Sequence, residues 1–278
     1  MTQQLSCAVA HDSATPDTTR ELDLVRLVER TTLRTEPFDH VRLENVFPSD
    51  LYRRMLENFP AAGNFHAMNH PDALRADGSS TRLHMHLYPE KVSRLPDEQR
   101  QVWSAVAAVL WSPELENAFK RKFRTALEDR FRRPAESIRL RPMPTLVRDL
   151  PGYRIRVHAD VPTKAITVQF YLPSDGSQAH LGTIFHTTGQ DDGSDQPLAM
   201  QFLPSCGYAF PVSPKESWHS VPATNDADGE RWSIKLTYYV DGGSFLSRYW
   251  RKTKRWWRKR AGLFLGRRPK APRAQLGA

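Results

Sequence analysis

The feature that most constrains this chain is a change of period at Ile138. Before that point apolar residues recur at helical spacing. Beyond it they alternate in short runs, broken by Pro, Gly, Asp and Ser. Period-two alternation marks half-buried strands, because successive side chains point to opposite faces. The pattern predicts strands at 138–147, 152–158, 165–172, 181–187, 199–203, 206–211, 217–221 and 231–240. Short strands joined by tight turns argue against alternating βαβ units and for a sandwich or jelly roll. The expected fold is mainly β with flanking helices: a double-stranded β-helix over about 138–241.

Ahead of this core the sequence predicts a helical layer. Residues 18–35 carry a partial apolar face in Leu22, Val25, Leu27 and Val28. Residues 38–47 read as a strand. Pro48-Ser49-Asp50 opens a helix with Leu51, Met55, Leu56 and Phe59 on one side. Residues 61–81, rich in Gly, Asn, Asp and Ser, read as a loop, and 83–88 as a strand. Asp97 starts a helix through Val102, Val106, Val109 and Leu110. A single further helix is expected over 113–132, with Pro113 at its first turn and Pro134 beyond its end.

Charge divides the chain differently. Twelve of the 40 Lys and Arg lie from Arg248 onward, which leaves 28 against 31 acids, or −3, for the remainder. The domain organisation expected is a disordered arm at 1–17, a domain at 18–241 and a basic aromatic tail at 242–278. In that tail Trp250, Trp257 and Phe264 fall on one helical face, a pattern suited to packing on the body or to a membrane surface over 248–265; nucleic acid is the weakest partner. Cys7 and Cys206 provide neither a disulfide framework nor zinc-ribbon spacing. With no signal-like N-terminus and no apolar run long enough to span a bilayer, a cytoplasmic location is expected, with peripheral contact at the inner face of the membrane as the variant the tail suggests.

The chemistry concentrates between 158 and 233. His158 and Asp160 are two apart at the end of a predicted strand, so both can face one cavity. His219 follows on a remote strand, which a jelly roll brings back to the same interior. Two imidazoles and one carboxylate, with positions left open, suit mononuclear non-heme Fe(II). Arg231 and Ser233 are again two apart on a strand. A guanidinium fork and a hydroxyl are the donors that the distal carboxylate of 2-oxoglutarate needs. Lys235 continues that face as a second candidate anchor. Tyr153 is either a cosubstrate hydrogen-bond donor or a strand tyrosine, and Gln169 and Tyr171 face either the cavity or the core. His84 and His86 read as a solvent-facing pair in preference to a second metal pair or a substrate rim; His180 and His186 are left out of the iron site.

Over roughly 36–240 the chain resembles the 2-oxoglutarate/Fe(II)-dependent oxygenase superfamily, in particular its prolyl-4-hydroxylase-like branch. The resemblance is carried by Pro37-Phe38, Val46-Phe47-Pro48, Gly152-Tyr153, His158-Ala-Asp160, the run from Lys164 to Pro173, Leu181-Gly-Thr183, Gly207-Tyr-Ala-Phe210, Ser217-Trp-His219 and Arg231-Trp-Ser233. It implies iron ligation by His158, Asp160 and His219, and cosubstrate binding by Arg231 and Ser233. The prolyl-4-hydroxylases themselves often carry Lys at the anchor, so Arg231 supports the chemistry better than a prolyl substrate. A carboxylate at position 160, where the superfamily's halogenases have a small residue, implies hydroxylation. The function expected is a 2-oxoglutarate- and Fe(II)-dependent dioxygenase hydroxylating a small molecule, sugar or peptidyl side chain, with succinate and CO2 as co-products. The alternatives are a cupin-like metal-binding protein, against which Arg231 and Ser233 count, and a non-catalytic protein whose basic tail binds a membrane surface or nucleic acid.

Overall fold

The computed structural model describes residues 22–68, 70–189 and 196–241. The arm at 1–17, residues 190–195 and the tail at 242–278 lie outside these. Among the described residues no helix is long and apolar enough to cross a membrane.

Helix α1 (Leu24–Arg30) is capped by the Asp23 carboxylate, which accepts from Arg26 N–H at 2.9 Å. Strand β1 (Val41–Leu43) is shorter than the sequence predicts, because Asn45 adopts a left-handed φ of 52° that ends the extended run. Helix α2 (Ser49–Glu57) follows. The expected loop at 61–81 contains a small strand, β2 (His66–Ala67), which pairs with β3 (Arg82–His86). Helices α3 (Pro89–Val92) and α4 (Asp97–Leu110) lead to α5 (Pro113–Lys122) and α6 (Arg124–Phe131).

The single helix expected over 113–132 is thus two helices. Phe123, at φ −107° and ψ 26°, breaks it. The break re-aims α6, and Arg130 then donates to the carbonyls of Pro162 at 2.7 Å, Lys164 at 2.8 Å and Val212. Three carbonyls offset the cost of burying the guanidinium, whose pKa burial lowers to about 10.

Eight strands form the jelly roll: β4 (Leu140–Asp149), β5 (Ile155–His158), β6 (Lys164–Tyr171), β7 (Thr183–His186), β8 (Leu198–Met200), β9 (Gly207–Pro211), β10 (Trp218–Val221) and β11 (Arg231–Val240). They divide between two antiparallel sheets. The larger has seven strands in the order β1-β9-β6-β11-β4-β3-β2, and the smaller has four, β5-β10-β7-β8. The interleaving of β4, β11, β6 and β9 against β5, β10, β7 and β8 is the strand order of a double-stranded β-helix, and the two sheets are not hydrogen-bonded into a closed barrel.

Alternation sorts β6 and β11 into two faces. Ile166, Val168, Phe170, Ile234, Leu236 and Tyr238 turn outward, into one core with Trp103, Val106, Leu115 and Phe119 of the helical layer. Each such side chain contributes about 1.5–3 kcal/mol on burial. On the opposite face of β6, Tyr171 joins a smaller aromatic core with Phe38, Phe185, Phe202, Tyr208 and Phe210. At Gly207 a Cβ would lie 2.3 Å from the Gln169 carbonyl oxygen, so only glycine lets β9 approach β6 there.

Candidate metal centre

His158 ends β5 and His219 lies on β10, and antiparallel pairing sets the two residues directly opposite each other. Their ring centroids are 4.2 Å apart. Asp160 follows β5 by two residues and is 6% exposed. One ligand atom from each of His158, Asp160 and His219 lies within 4.8 Å of the others; among the described residues no other group of three His, Cys, Asp or Glu residues meets this condition.

Both histidines are held alike. His158 Nδ1 lies 2.9 Å from the Arg156 carbonyl, and His219 Nδ1 lies 3.0 Å from that of Ser217. A carbonyl only accepts, so each Nδ1 carries the proton and each Nε2 keeps its lone pair for a metal. Burial lowers the pKa of both rings. For His219, fully buried beside His158, it falls to about 3, so both are neutral, the metal-binding form.

Asp160 is the anion of the set. Burial works to raise its pKa, but the ammoniums of Lys164 and Lys235 outweigh that and hold the carboxyl well below its usual range. Oδ1 accepts from Lys164 Nζ, and Oδ2 accepts from Thr167 Oγ1 at 2.6 Å. Lys164 has its own pKa raised, because Asp160 outweighs the burial that disfavours its charge. Lys235 stands next to Lys164, which with burial brings its pKa down to about 7.

Arg231, at 0% exposure, lies deeper on β11. Its Nη1 donates to Asp149 Oδ2 at 2.6 Å, and Arg82 grips the same carboxylate through Nε at 2.5 Å and Nη2 at 2.9 Å. Two guanidiniums thus share one carboxylate. Arg231 Nε and Nη2 are buried without an acceptor, and its guanidinium lies over the rings of Phe202 at 4.7 Å and Tyr171 at 5.4 Å. Unsatisfied donors on a buried cation are costly, and a carboxylate is the group that would satisfy them. Ser233, on the same face, accepts from Gln169 Nε2 at 3.1 Å; Gln169 Oε1 accepts from Tyr208 at 3.1 Å. The donor set and the orphaned guanidinium therefore fit a divalent metal and a carboxylate-bearing cosubstrate.

Tyr153 is fully buried with its hydroxyl unpartnered, and its ring lies 4.1 Å beneath the Arg82 guanidinium. Gln169 and Tyr171 face the interior. His84 and His86, read from sequence as solvent-facing, are half-buried. Met85 takes the helix-layer face, so its neighbours turn inward. His180 pairs with Asp228 at 2.8 Å and His186 with Ser220 at 2.8 Å, both apart from the triad. Sequence reading missed Asp149, Arg82 and Thr167. Thr167 was open to discovery, since it shares the inward parity of Gln169 on β6. Arg82 and Asp149 were not, because their pairing depends on which strands become neighbours.

No protein-family model and no curated protein matches this sequence. Among solved structures the chain is similar to a prolyl-4-hydroxylase from Pseudomonas putida, at 16% identity and TM-score 0.48 over 79% of this chain and 100% of that one. It is also similar to a 2OG-Fe(II) oxygenase family oxidoreductase from Burkholderia pseudomallei, at 15% identity and TM-score 0.47 over 86% and 95%. A third similar structure is the Arabidopsis thaliana dioxygenase for auxin oxidation with 2-oxoglutarate, at 10% identity and TM-score 0.48 over 79% and 87%.

Proposed function

We propose that this protein is a 2-oxoglutarate- and Fe(II)-dependent dioxygenase that hydroxylates a small molecule, sugar or peptidyl side chain. The observation that carries the reading is the pairing of two sites in one interior. Two neutral imidazoles with free Nε2 atoms and one carboxylate form one group, and the inner face of the larger sheet also carries a fully buried arginine with two unsatisfied donors. A metal-binding protein with no cosubstrate has no use for the second.

In this reading His158, Asp160 and His219 hold Fe(II), and Arg231 with Ser233 holds the distal carboxylate of 2-oxoglutarate. Bound there, the iron and cosubstrate supply an oxidant made from O2, with succinate and CO2 released as oxygen enters a C–H bond. The chain's own work is placement. The Arg156 and Ser217 carbonyls fix the imidazole planes. Lys164 and Thr167 orient Asp160 and keep it ionised. Asp149 fixes the Arg231 fork and tempers its charge, while Phe202 and Tyr171 exclude water from it. The test is succinate formation from 2-oxoglutarate with Fe(II) and O2. The reading expects turnover in the wild type and none in His219→Ala; equal turnover in the two would remove the triad from the chemistry.

A further inference from the structure

The inner face of the larger sheet can be read in rows across its strands. One row runs Arg231, Asp149, Arg82. The next runs Tyr171, Ser233, Val147, His84, His66, and the third Gln169, Lys235, Thr145, His86. A fourth holds Thr167, Thr237 and Met143, with Thr167 on Asp160. The first two rows contain the arginine and serine assigned above to the cosubstrate. In the third row Gln169 holds Ser233 and Lys235 helps keep Asp160 ionised, but none of its side chains is assigned above as a ligand of the metal or of that carboxylate.

This row carries one ammonium, Lys235, and one imidazole, His86. Lys235 is half-buried beside another ammonium, Lys164, whose own carboxylate partner is Asp160. Thr145 Oγ1 lies 2.9 Å from His86 Nδ1, which fixes that ring and leaves Nε2 on its far side. One row over, His84 Nδ1 is buried with no partner, and the His84 and His86 rings are 5.0 Å apart. Arg82, Arg231, Lys164 and Lys235 face Asp149 and Asp160, so cations exceed anions on this face. A divalent metal and a dianionic cosubstrate add no net charge. The surplus remains, and like charges in a site of low dielectric are costly unless an anion joins them. Lys235 is about 14 Å along the strand from Arg231, at the metal end, so the anion it takes is distinct from the carboxylate at Arg231.

We propose that Lys235 and His86, the ring held by Thr145 and with His84 beside it, form the subsite for an oxyanion of the primary substrate, a carboxylate or a phosphate, so that the molecule oxidised is an anion. The inference rests on the dioxygenase reading and supplies its substrate class.

Mn(II) in place of Fe(II), with 2-oxoglutarate, gives a loaded protein that does not turn over. Inorganic phosphate and, separately, acetate are titrated into it by calorimetry, with Mn(II)-induced broadening of the phosphorus or methyl signal as the measure of proximity. The expected result is saturable binding of at least one anion near the metal. Lys235→Met should weaken it about tenfold or more, and in His86→Phe the weakening should come while 2-oxoglutarate affinity stays within about threefold. His86→Phe and Thr145→Val should weaken it in the same direction, and they carry the test if Lys235→Met does not fold. Anion binding equal in wild type and variants, or none in the loaded wild type, overturns the subsite. Loss of 2-oxoglutarate binding in Lys235→Met also overturns it, by making Lys235 a cosubstrate anchor. If the wild type fails to take up Mn(II) and 2-oxoglutarate, the dioxygenase reading itself fails and the subsite with it.

Discussion

His158 and His219 are cross-strand partners, directly opposite in the β5–β10 ladder, and each ring is tied to the carbonyl two residues before it. The smaller sheet and these two carbonyls therefore set the placement of the imidazole pair. Replacing either with Ala should reduce Fe(II) affinity by at least about tenfold, as loss of a ligand exceeds the roughly 10–100-fold cost of losing a ligand's outer partner. Metal retention after dialysis measures this directly, and circular dichroism checks that the sheets persist.

Among the described residues Asp149 is the only carboxylate hydrogen-bonded to Arg231, and Arg82 shares it. Asp149→Asn should lower unfolding free energy by about 3–5 kcal/mol, because it leaves two buried guanidiniums without a counter-charge. Denaturant unfolding gives the number. Arg231→Met should differ: it removes a charge with two donor nitrogens already unsatisfied and leaves Asp149 paired with Arg82, so the main effect should be loss of 2-oxoglutarate binding, read as a raised KM for the cosubstrate.

Arg130 touches no atom of the triad, yet it holds the carbonyls of Pro162, Lys164 and Val212 around the turn that follows Asp160. Arg130→Met should cost about 1–3 kcal/mol of stability. It should also weaken Fe(II) binding, since the turn carries both Asp160 and Lys164. A loss of stability with unchanged metal affinity would make Arg130 a structural clamp only.

The buried histidines set an acid limit. Burial lowers the pKa of His40, His158 and His219, the last to about 3. The unfolded chain, with its histidines near about 6.5, binds more protons than the folded one below that pH. Stability of the metal-free protein is therefore fully present above about pH 6.5 and falls as pH drops from there toward about 3. Bound metal competes with those protons, so the gap in Tm between metal-loaded and metal-free protein should narrow over the same range. Thermal melts of both forms across it provide the check.

Much of the jelly roll was legible because alternation is a strong signal when one face is buried. The strand predicted at 231–240 is β11, and its two faces do separate into core and cavity. Breaks within elements were less legible. Phe123 fits a helix by composition, and only its backbone angles break the run. Asn45 ends β1 through a backbone angle that composition only weakly signals. At the site, His158, Asp160, His219, Arg231 and Ser233 were readable because each pair is two apart or follows in strand order. The Arg82–Asp149 pairing was hidden, since the residues are 67 apart in sequence and meet only once β3 settles beside β4. The inward turn of His84 and His86 was hidden for the same reason.

Anaerobic addition of Fe(II) and then 2-oxoglutarate, followed by visible absorption, tests the central claim most directly. The wild type should show a metal-to-ligand charge-transfer band that is absent in His219→Ala and reached in Arg231→Met only at much higher 2-oxoglutarate. A wild-type protein that binds Fe(II) but gives no band at saturating 2-oxoglutarate would contradict it.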